Sequence, residues 1–342
     1  MVKNTGTFIV GGGLSGLTLA YILQKQNIQA TILEASPRLG GRIQTQKGEL
    51  DTPLELGATW FSDAHKNLLA LLEELGLEKY PQRSHGTSLF QTKSFEPAQR
   101  FHVPESTEPS YRVRGGTQTL TDTLAKKIPS ESIHLNTKVV QIINSEEKII
   151  LKTEKDDTFH AAKVVLCLPP QLVGTQIEFS PPLSASISSI LPEVQTWMLG
   201  SIKFVIEYAA PFWREKGYSG LLYSHVGPIT EMYDHTNFEE DKFGFTGFLS
   251  GRVAAYSPEE RKSYVLSQLN ELLGKEASKL VSYHDKVWVD EFISGGSQSQ
   301  LHPHQNNGYP LLQDSYFDKK LFFAGTESST QFSGYMEGAI LS

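Results

Sequence analysis

The most constraining feature of this chain is a glycine-rich turn placed directly after a short apolar strand. Gly11, Gly13 and Gly16 follow the buried-strand pattern Thr7–Val10 and open a segment with the pattern of a helix. A second apolar strand, at 30–34, then ends on an acidic residue. This order of strand, turn, helix and strand predicts a βαβ unit that binds a dinucleotide.

Each part of this motif has a physical task in such a site. Gly11 permits the tight turn, Gly13 lets the backbone approach a pyrophosphate, and Gly16 lets the helix pack on the strand. The helix N-terminus offers N–H groups and partial positive charge to phosphates, and Glu34 can accept hydrogen bonds from a ribose. A glycine turn in an unrelated α/β unit is the alternative, and the flanking strands together with Glu34 favour the dinucleotide site. Arg42 follows a second glycine pair, so it reads either as a further phosphate contact or as part of a surface turn.

The composition is that of an ordinary globular protein. The chain has 342 residues, 39% of them hydrophobic and 20% charged, which suits roughly two domains with a large core. A net charge of −7 gives no reason to expect nucleic acid as a partner, and no run of about 18 apolar residues predicts a membrane span. The single cysteine, Cys167, excludes a disulfide framework and fits a reducing compartment, so we expect a cytoplasmic protein. His302 and His304 have no third ligand in view, so we expect no metal.

Further along the chain, helical and strand patterns alternate. Helices are predicted over 64–75 and 117–127, the second with Thr117 as its cap. Ser257 begins another helix, through Leu273, because it combines an N-cap serine with an N1 proline and a capping box. The segment 80–114 is polar and rich in proline and serine, which predicts an irregular excursion from the core. Apolar runs predict strands at 139–143, 149–153, 163–168, 199–208, 220–223, 243–249 and 321–327.

Five blocks of sequence resemble, in order, motifs of the flavin monoamine oxidase family. The first resembles its FAD-binding start and comprises Val10-Gly11-Gly12-Gly13-Leu14-Ser15-Gly16-Leu17, Leu33-Glu34-Ala35 and Leu39-Gly40-Gly41-Arg42. The others are Leu56-Gly57-Ala58-Thr59-Trp60, Arg114-Gly115-Gly116 to Leu120, Lys203 to Pro211-Phe212-Trp213, and Phe322-Phe323-Ala324-Gly325-Thr326-Glu327 with Ser333-Gly334-Tyr335-Met336-Glu337-Gly338-Ala339. These blocks span nearly the whole chain.

The resemblance implies an α/β fold with two domains. A Rossmann-like FAD-binding domain of the glutathione reductase type would comprise 1–79, 115–197 and 286–342. A β-rich α+β substrate domain would comprise 80–114 and 198–285. Because 80–114 is much shorter than the helical insert usual in the family, we expect a more open site, or one completed by another chain.

The resemblance also implies which residues contact FAD. Gly325, Thr326 and Glu327 would contact the ribitol and pyrophosphate, Met336 the pyrimidine end of the flavin, and Val139 the adenine. The full expected set is Gly11, Gly13, Leu14, Ser15, Gly16, Glu34, Ala35, Gly41, Arg42, Gly57, Ala58, Thr59, Val139, Trp288, Gly325, Thr326, Glu327, Tyr335 and Met336.

The resemblance also implies four catalytic residues. Lys203 matches the lysine that holds a water at the flavin N5 and assists reoxidation by O₂; from the pattern alone it could instead be a lysine that snorkels from a strand edge. Tyr335 matches one of two aromatic residues flanking the amine, and Trp60 would add another aromatic wall. Gln298 stands where the family often has the second tyrosine, which puts a simple aliphatic or arylalkyl amine in doubt.

Besides Gln298, this chain differs from part of the family at the position where the flavin can be attached covalently. Covalently flavinylated members carry a cysteine after Ser-Gly-Gly, whereas Ser297 follows that triplet here. A serine cannot form the thioether, so we expect FAD to be bound non-covalently.

The resemblance implies an FAD-dependent amine oxidase that converts an amine to an imine and reduces O₂ to H₂O₂. Its expected partners are a small-molecule amine and O₂, with a homo-oligomer possible. Alternatives are an L-amino-acid oxidase, which needs a cation such as Arg112, Arg114 or Arg252 for the substrate carboxylate, and an FAD-dependent desaturase or isomerase. The alternative outside enzymology is a flavin-binding interaction module without turnover.

Overall fold

The computed structural model describes residues 6–288 and 302–342, in which two large β-sheets border one long cavity. None of the helices in these ranges is long and apolar enough to cross a membrane. The first sheet consists of β1 (Thr7–Val10), β2 (Ala30–Leu33), β9 (Ile133–His134), β13 (Lys163–Leu166), β20 (Ser315–Tyr316) and β21 (Leu321–Phe323). Its strand order is β20-β21-β13-β1-β2-β9, and all of its pairs except β20–β21 are parallel.

The predicted βαβ unit forms the centre of this sheet. Strand β1 pairs with β2 and β13, and helix α1 (Leu14–Lys25) makes the crossover that a parallel pair requires. The helix begins inside the glycine turn, at Leu14, because Gly13, in an extended conformation, already serves as its N-cap. Ile9 packs with the helices, whereas Phe8 and Val10 pack into the opposite core. Both faces of β1 are therefore covered, which explains its unbroken apolar run.

A smaller sheet of four strands packs against the first. It contains β10 (Val139–Asn144), β11 (Ile149–Thr153), β12 (Thr158–Ala161) and β14 (Glu178–Ser180), in the order β12-β11-β10-β14. The strands predicted at 139–143 and 149–153 are confirmed as β10 and β11, and they pair in an antiparallel manner.

The third sheet has seven strands and forms the other wall of the cavity. They are β6 (Gly86–Gln91), β7 (Gln99–Val103), β15 (Ile202–Tyr208), β16 (Tyr218–Ser224), β17 (Ile229–Asp234), β18 (Phe243–Leu249) and β19 (Leu280–Val287), in the order β19-β15-β18-β17-β16-β6-β7. All seven residues of β15 are buried.

The expectation that 80–114 is irregular was wrong. Strands β6 and β7 extend the third sheet, and the short pair β5 (Lys79–Pro81) and β8 (Tyr111–Val113) closes the segment at its base. The segment is polar because β7 is an edge strand with four of its five residues exposed, so its composition resembled that of a loop. The remaining strand pair is β3 (Thr45–Lys47) with β4 (Pro53–Glu55).

Seven further helices complete the described part of the chain. They are α2 (Lys66–Glu74), α3 (Gln118–Lys127), α4 (Pro170–Gln176), α5 (Ala185–Ile190), α6 (Phe212–Glu215), α7 (Pro258–Leu273) and α8 (Met336–Leu341). The predicted capping box of α7 is confirmed, with Ser257 and Glu260 each bonding the other's backbone N–H. Thr117 makes no side-chain cap on α3, and its backbone N–H donates to Glu55 instead.

The sheets draw on different parts of the chain. The first two take their strands from 7–33, 133–180 and 315–323, and the third takes them from 86–103 and 202–287. These ranges follow the predicted division, except that β19 runs two residues past the expected end of the substrate domain at 285. The domain boundaries themselves stay a prediction.

Candidate active site

A cavity of about 970 Å³ runs between the first and third sheets. It brings together residues that are far apart in sequence. The expected site residues that line it are Gly11, Gly13, Leu14, Ser15, Glu34, Ala35, Gly41, Arg42, Gly57, Ala58, Thr59, Trp60, Val139, Lys203, Trp288, Gly325, Thr326, Glu327, Tyr335 and Met336. Gly16 lies behind the wall of the cavity, and Gln298 and Ser297 lie outside the described residues.

The glycine turn needs its glycines for different steric reasons. Gly11 has a φ of +111°, and a Cβ there would lie 2.5 Å from the carbonyl oxygen of Cys167. A Cβ on Gly16 would lie 2.1 Å from the carbonyl oxygen of Gly11, so this glycine allows α1 to pack on the turn. A Cβ on Gly13 would meet only the Cα of Gly41, at 3.9 Å, and Gly13 lines the cavity. The turn therefore leaves a backbone-walled cradle at the N-terminus of α1, as a pyrophosphate requires.

Glu34 is held in place at one end of the cavity. Its carboxylate accepts hydrogen bonds from the backbone N–H of Gly12 at 2.6 Å and from the backbone and hydroxyl of Ser36 at 2.8 and 2.5 Å. Oε1 accepts both bonds from Ser36, whereas Oε2 accepts only the one from Gly12 and keeps a free lone pair, since each carboxylate oxygen offers about two acceptor sites. The residue is therefore oriented to accept further hydrogen bonds from a ribose.

Arg42 and Glu327 form a two-pronged ion pair across the cavity wall. Arg42 Nη1 and Nη2 lie 2.6 and 3.0 Å from the two carboxylate oxygens of Glu327. The Glu327 side chain is fully buried, whereas that of Arg42 is 35% exposed. The sequence indicated both as cofactor contacts but not that they pair, because 285 residues separate them.

Lys203 lies on the central strand β15 and is only 2% exposed. Its Nζ donates to the carbonyl oxygen of Gly57 at 2.6 Å and to the hydroxyl of Thr59. The same nitrogen is 4.7 Å from the ring centre of Trp60 and 5.8 Å from that of Phe248. The alternative of a snorkelling lysine at a strand edge is therefore wrong, since both neighbours of Lys203 in the sheet are paired strands.

Burial lowers the pKa of the Lys203 ammonium to about 7, because a charge is poorly solvated there. Glu55 opposes this shift, whereas the positive charge of Arg112 adds to it. Lys203 can therefore exist in both protonation states near neutral pH, which suits a group that handles a proton.

Aromatic rings surround the same part of the cavity. Trp60 packs 4.9 Å from the ring of Tyr233, and its indole N–H donates to Gln82 at 2.9 Å. Tyr335 is 42% exposed and lies at the mouth. The rings of Trp197, His304 and Tyr335 form a cluster, in which the centre of the His304 ring lies 4.2 Å from that of Trp197 and 5.8 Å from that of Tyr335, and the latter two are 6.1 Å apart. Sequence reasoning missed Trp197, because a lone tryptophan before a loop has no pattern that points to a site.

Three arginines were candidates for a substrate carboxylate. Arg112 is buried and donates to the carbonyl oxygen of Thr236, and Arg114 pairs with Glu78 and Glu239. Within the described ranges, neither these two nor Arg252 lines the cavity. The amino-acid oxidase alternative therefore gains no support from them.

The residues fit an FAD molecule in an extended conformation. The cavity has a hydrogen-bond acceptor for a ribose at Glu34 and a cradle for phosphates at Gly13. At its far end, the rings of Trp60 and Phe248 form an aromatic chamber around Lys203. A nicotinamide dinucleotide would use the first two features equally well. The aromatic chamber next to a buried lysine suits a larger planar ring.

Comparison with known proteins agrees with this geometry. The family model of the flavin containing amine oxidoreductases matches residues 14–104 and 89–342. The probable flavin-containing monoamine oxidase A of Dictyostelium discoideum is 26% identical, covering 97% of this chain and 94% of that protein. The human flavin-containing amine oxidase B is 24% identical, covering 99% of this chain and 85% of that protein.

Among solved structures, cyclohexylamine oxidase from Brevibacterium oxydans has a TM-score of 0.85 at 22% identity, covering 99% of this chain and 97% of that one. Putrescine oxidase bound to putrescine has a TM-score of 0.84 at 21% identity, with the same coverage. The predicted α/β fold with a second β-rich domain is therefore confirmed.

The alignments also bear on the short segment 80–114. The match to the Dictyostelium protein runs over 443 positions, whereas this chain has 342 residues. The two ranges of the family match overlap at 89–104, which indicates that the missing positions fall near this segment. Since the family match covers residues 14–342 and the cavity unites the expected flavin motifs, this chain belongs to the flavin-containing amine oxidoreductase family and is an FAD-dependent amine oxidase.

Proposed function

We propose that this enzyme oxidises a small-molecule amine to an imine, that O₂ takes up the electrons as H₂O₂, and that the imine then hydrolyses in water. The observation that carries the proposal is Lys203, a buried lysine with a pKa near 7 in an aromatic chamber of the cavity. A lysine in such surroundings is costly to the fold, so its presence there points to chemistry.

FAD, when bound, supplies the hydride acceptor and the electrons for O₂. We assign its phosphates to Gly13, Leu14 and Ser15 at the N-terminus of α1, and a ribose to Glu34. Arg42 adds positive charge near the phosphates while Glu327 fixes its orientation. Thr326 and Met336 line the same wall and complete the cofactor contacts.

Lys203 would act on the proton and charge balance at the far end of the cavity. Its ammonium form can hold a water molecule by hydrogen bonds and stabilise the negative charge that develops on O₂ as it is reduced. Gly57 and Thr59 hold the nitrogen in place, so little reorganisation is needed. Their contacts with Lys203 join the segment 57–59 to the third sheet.

The amine must be neutral to react, because its lone pair stabilises the developing iminium. An alkylamine with a pKa of about 10.4 is neutral in roughly one molecule in a thousand at pH 7, a handicap of about 4–5 kcal/mol. Desolvation in an apolar pocket can lower an ammonium pKa by about 3–5 units. Attraction of the ammonium to Tyr335 or Trp60 opposes this by only about 1–2 kcal/mol. Desolvation therefore dominates, and the pocket favours the reactive form.

Non-covalent attachment of FAD is supported by the state of Cys167, the one cysteine of the chain. Burial raises the pKa of its thiol to about 12, so the nucleophilic thiolate is scarce at neutral pH. The residue also borders the glycine turn rather than the aromatic chamber. A lone reduced cysteine is also consistent with the cytoplasm as the compartment.

The decisive experiment is an anaerobic titration of the purified yellow protein with primary amines, followed by a peroxide assay. We expect amines to bleach the flavin and air to restore its colour with one H₂O₂ per turnover. Amino acids serve as the comparison. Bleaching by amino acids alone would favour the amino-acid oxidase, and no bleaching by any amine would refute the proposal.

A further inference from the structure

Four side chains form a row across the third sheet, from the buried lysine toward solvent. In the strand registers, Lys203 is opposite Phe248, Phe248 is opposite Glu231, and Glu231 is opposite Tyr223. Directly opposed residues project from the same face of a sheet, so the row lies on one face. Lys203, Phe248 and Glu231 line the cavity, and Tyr223 is 40% exposed.

Glu231 differs from the other acidic residues of the cavity. Glu34 is bonded by backbone N–H groups, and Glu327 is paired with Arg42. Among the described residues, Glu231 makes no salt bridge; its carboxylate accepts a hydrogen bond from the hydroxyl of Tyr233. It is thus a half-buried carboxylate without a counter-ion in a wall that is otherwise largely aromatic.

The surroundings of Glu231 suit a cation. The Tyr233 hydroxyl lies 3.2 Å from that of Tyr223, so two phenol oxygens stand beside the carboxylate. The ring of Tyr233 packs against Trp60, and Trp60 lies 6.3 Å from Phe248. Burial raises the pKa of the Glu231 carboxyl, because the anion lacks compensation there. A bound cation would supply that compensation, helped by the faces of the rings.

We propose that Glu231 binds a second, protonated amino group of the substrate, so that this enzyme prefers diamines to monoamines. The inference rests on the proposed function, since the first amino group must react at the Lys203 end of the row. Tyr233 positions the carboxylate, and Phe248 and Trp60 would cover the methylene chain between the two nitrogens.

The sheet geometry sets the length of chain that fits. Adjacent strands lie about 4.8 Å apart, so the backbones at Lys203 and Glu231 are about 10 Å apart. A hydrogen bond to the carboxylate takes up about 3 Å of this. The remaining distance, about 7 Å, matches about six bonds of extended chain. Diamines with four or five methylenes therefore suit the row better than 1,2-diaminoethane.

The test compares matched substrates on the holoenzyme. We expect kcat/KM for 1,4-diaminobutane or 1,5-diaminopentane to exceed that for butylamine or pentylamine by roughly 10- to 100-fold, as for one charge-assisted hydrogen bond. In Glu231→Gln, the KM for the diamines should rise by a similar factor, with kcat for monoamines unchanged within about twofold. Glu147→Gln removes the same charge from an exposed turn of the second sheet, between β10 and β11, and serves as the control.

Two further results separate binding from general damage. Glu231→Asp should keep the preference for diamines but move its optimum toward a chain about one methylene longer, because its carboxylate is withdrawn by one carbon. Flavin content should match the wild type in each variant. Equal kcat/KM for diamines and monoamines in the wild type, or equal loss of both in Glu231→Gln, would overturn the inference while leaving amine oxidation intact. Failure of every amine to reduce the flavin would instead defeat the proposed function and this inference with it.

Discussion

Replacing Lys203 with methionine tests the role of the buried lysine, because methionine keeps much of its shape and removes its charge. The nitrogen is fully enclosed and its pKa is lowered from 10.5 to about 7. That shift corresponds to about 5 kcal/mol held against the buried ammonium. The methionine leaves two acceptors, on Gly57 and Thr59, without this donor, at about 1–3 kcal/mol each. The two effects largely cancel, so we expect the free energy of unfolding to change by less than about 2 kcal/mol.

The catalytic effect should be much larger and confined to one half of the cycle. Stopped-flow measurements on Lys203→Met should show reoxidation by O₂ slowed by about 10²- to 10⁴-fold, with reduction by amine changed by less than about fivefold. Lys152→Met, on the exposed side of β11, is the control for loss of a lysine. An unchanged oxidative half-reaction, or equal slowing of both halves, would refute the role assigned to Lys203.

The same residue predicts a pH dependence with a definite sign. The ammonium form prevails below pH 7, so wild-type reoxidation should fall as the pH rises through about 7, and Lys203→Met should lose this step. The same shift makes the free energy of unfolding depend on pH. In the unfolded chain Lys203 keeps its proton up to about pH 10.4, whereas in the folded protein it releases the proton near pH 7. Between pH 7 and 10, the free energy of unfolding of the wild type, measured with denaturant, should therefore rise relative to that of Lys203→Met by up to about 1.4 kcal/mol per pH unit. If the difference in the free energy of unfolding between the two proteins did not change over this pH range, the result would contradict the lowered pKa of Lys203.

Other predictions concern the cofactor and the mouth of the site. Arg42→Met leaves the buried Glu327 carboxylate unpaired and should lower the free energy of unfolding, measured with denaturant, by about 2–3 kcal/mol. It should also weaken FAD binding in an equilibrium dialysis assay. An unchanged free energy of unfolding would show that solvent replaces the ion pair. Glu34→Gln should weaken FAD binding by roughly 10-fold, as for one charge-assisted hydrogen bond. Acid precipitation should release all yellow colour to the supernatant, and colour in the pellet would disprove non-covalent attachment. Tyr335→Leu should lower kcat/KM for amines by about 3- to 10-fold and leave stability within about 0.5 kcal/mol, since the ring is 42% exposed.

Much of the fold could be predicted because it rests on local patterns. The βαβ unit follows from the alternation of apolar runs and the glycine turn, and α7 follows from the capping box at Ser257. Strands β7 and β17 could not be predicted in this way. The first is an exposed edge strand that reads as a loop, and the second mixes buried and partly exposed positions without strict alternation.

In the candidate site, too, some residues could be predicted from the sequence and others could not. The glycines, Glu34 and Lys203 stand in motifs that can be identified by their spacing or by their family resemblance. Glu231 stands in no motif, and only the registers β15–β18 and β18–β17 bring it into line with Lys203. Likewise, only the fold brings Trp197 and His304 against Tyr335.

By itself, the sequence determined that the chain has a dinucleotide-type turn, flavin motifs and no cysteine at the expected attachment position, because these depend on residue type at short spacing. Tertiary structure alone decided that Lys203 is buried on a central strand, that Arg42 is paired with Glu327, and that Glu231 faces the cavity without a counter-ion among the described residues. The physical reason is that burial, charge pairing and pKa depend on groups brought together by chain segments tens to hundreds of residues apart, and no local pattern encodes those distances.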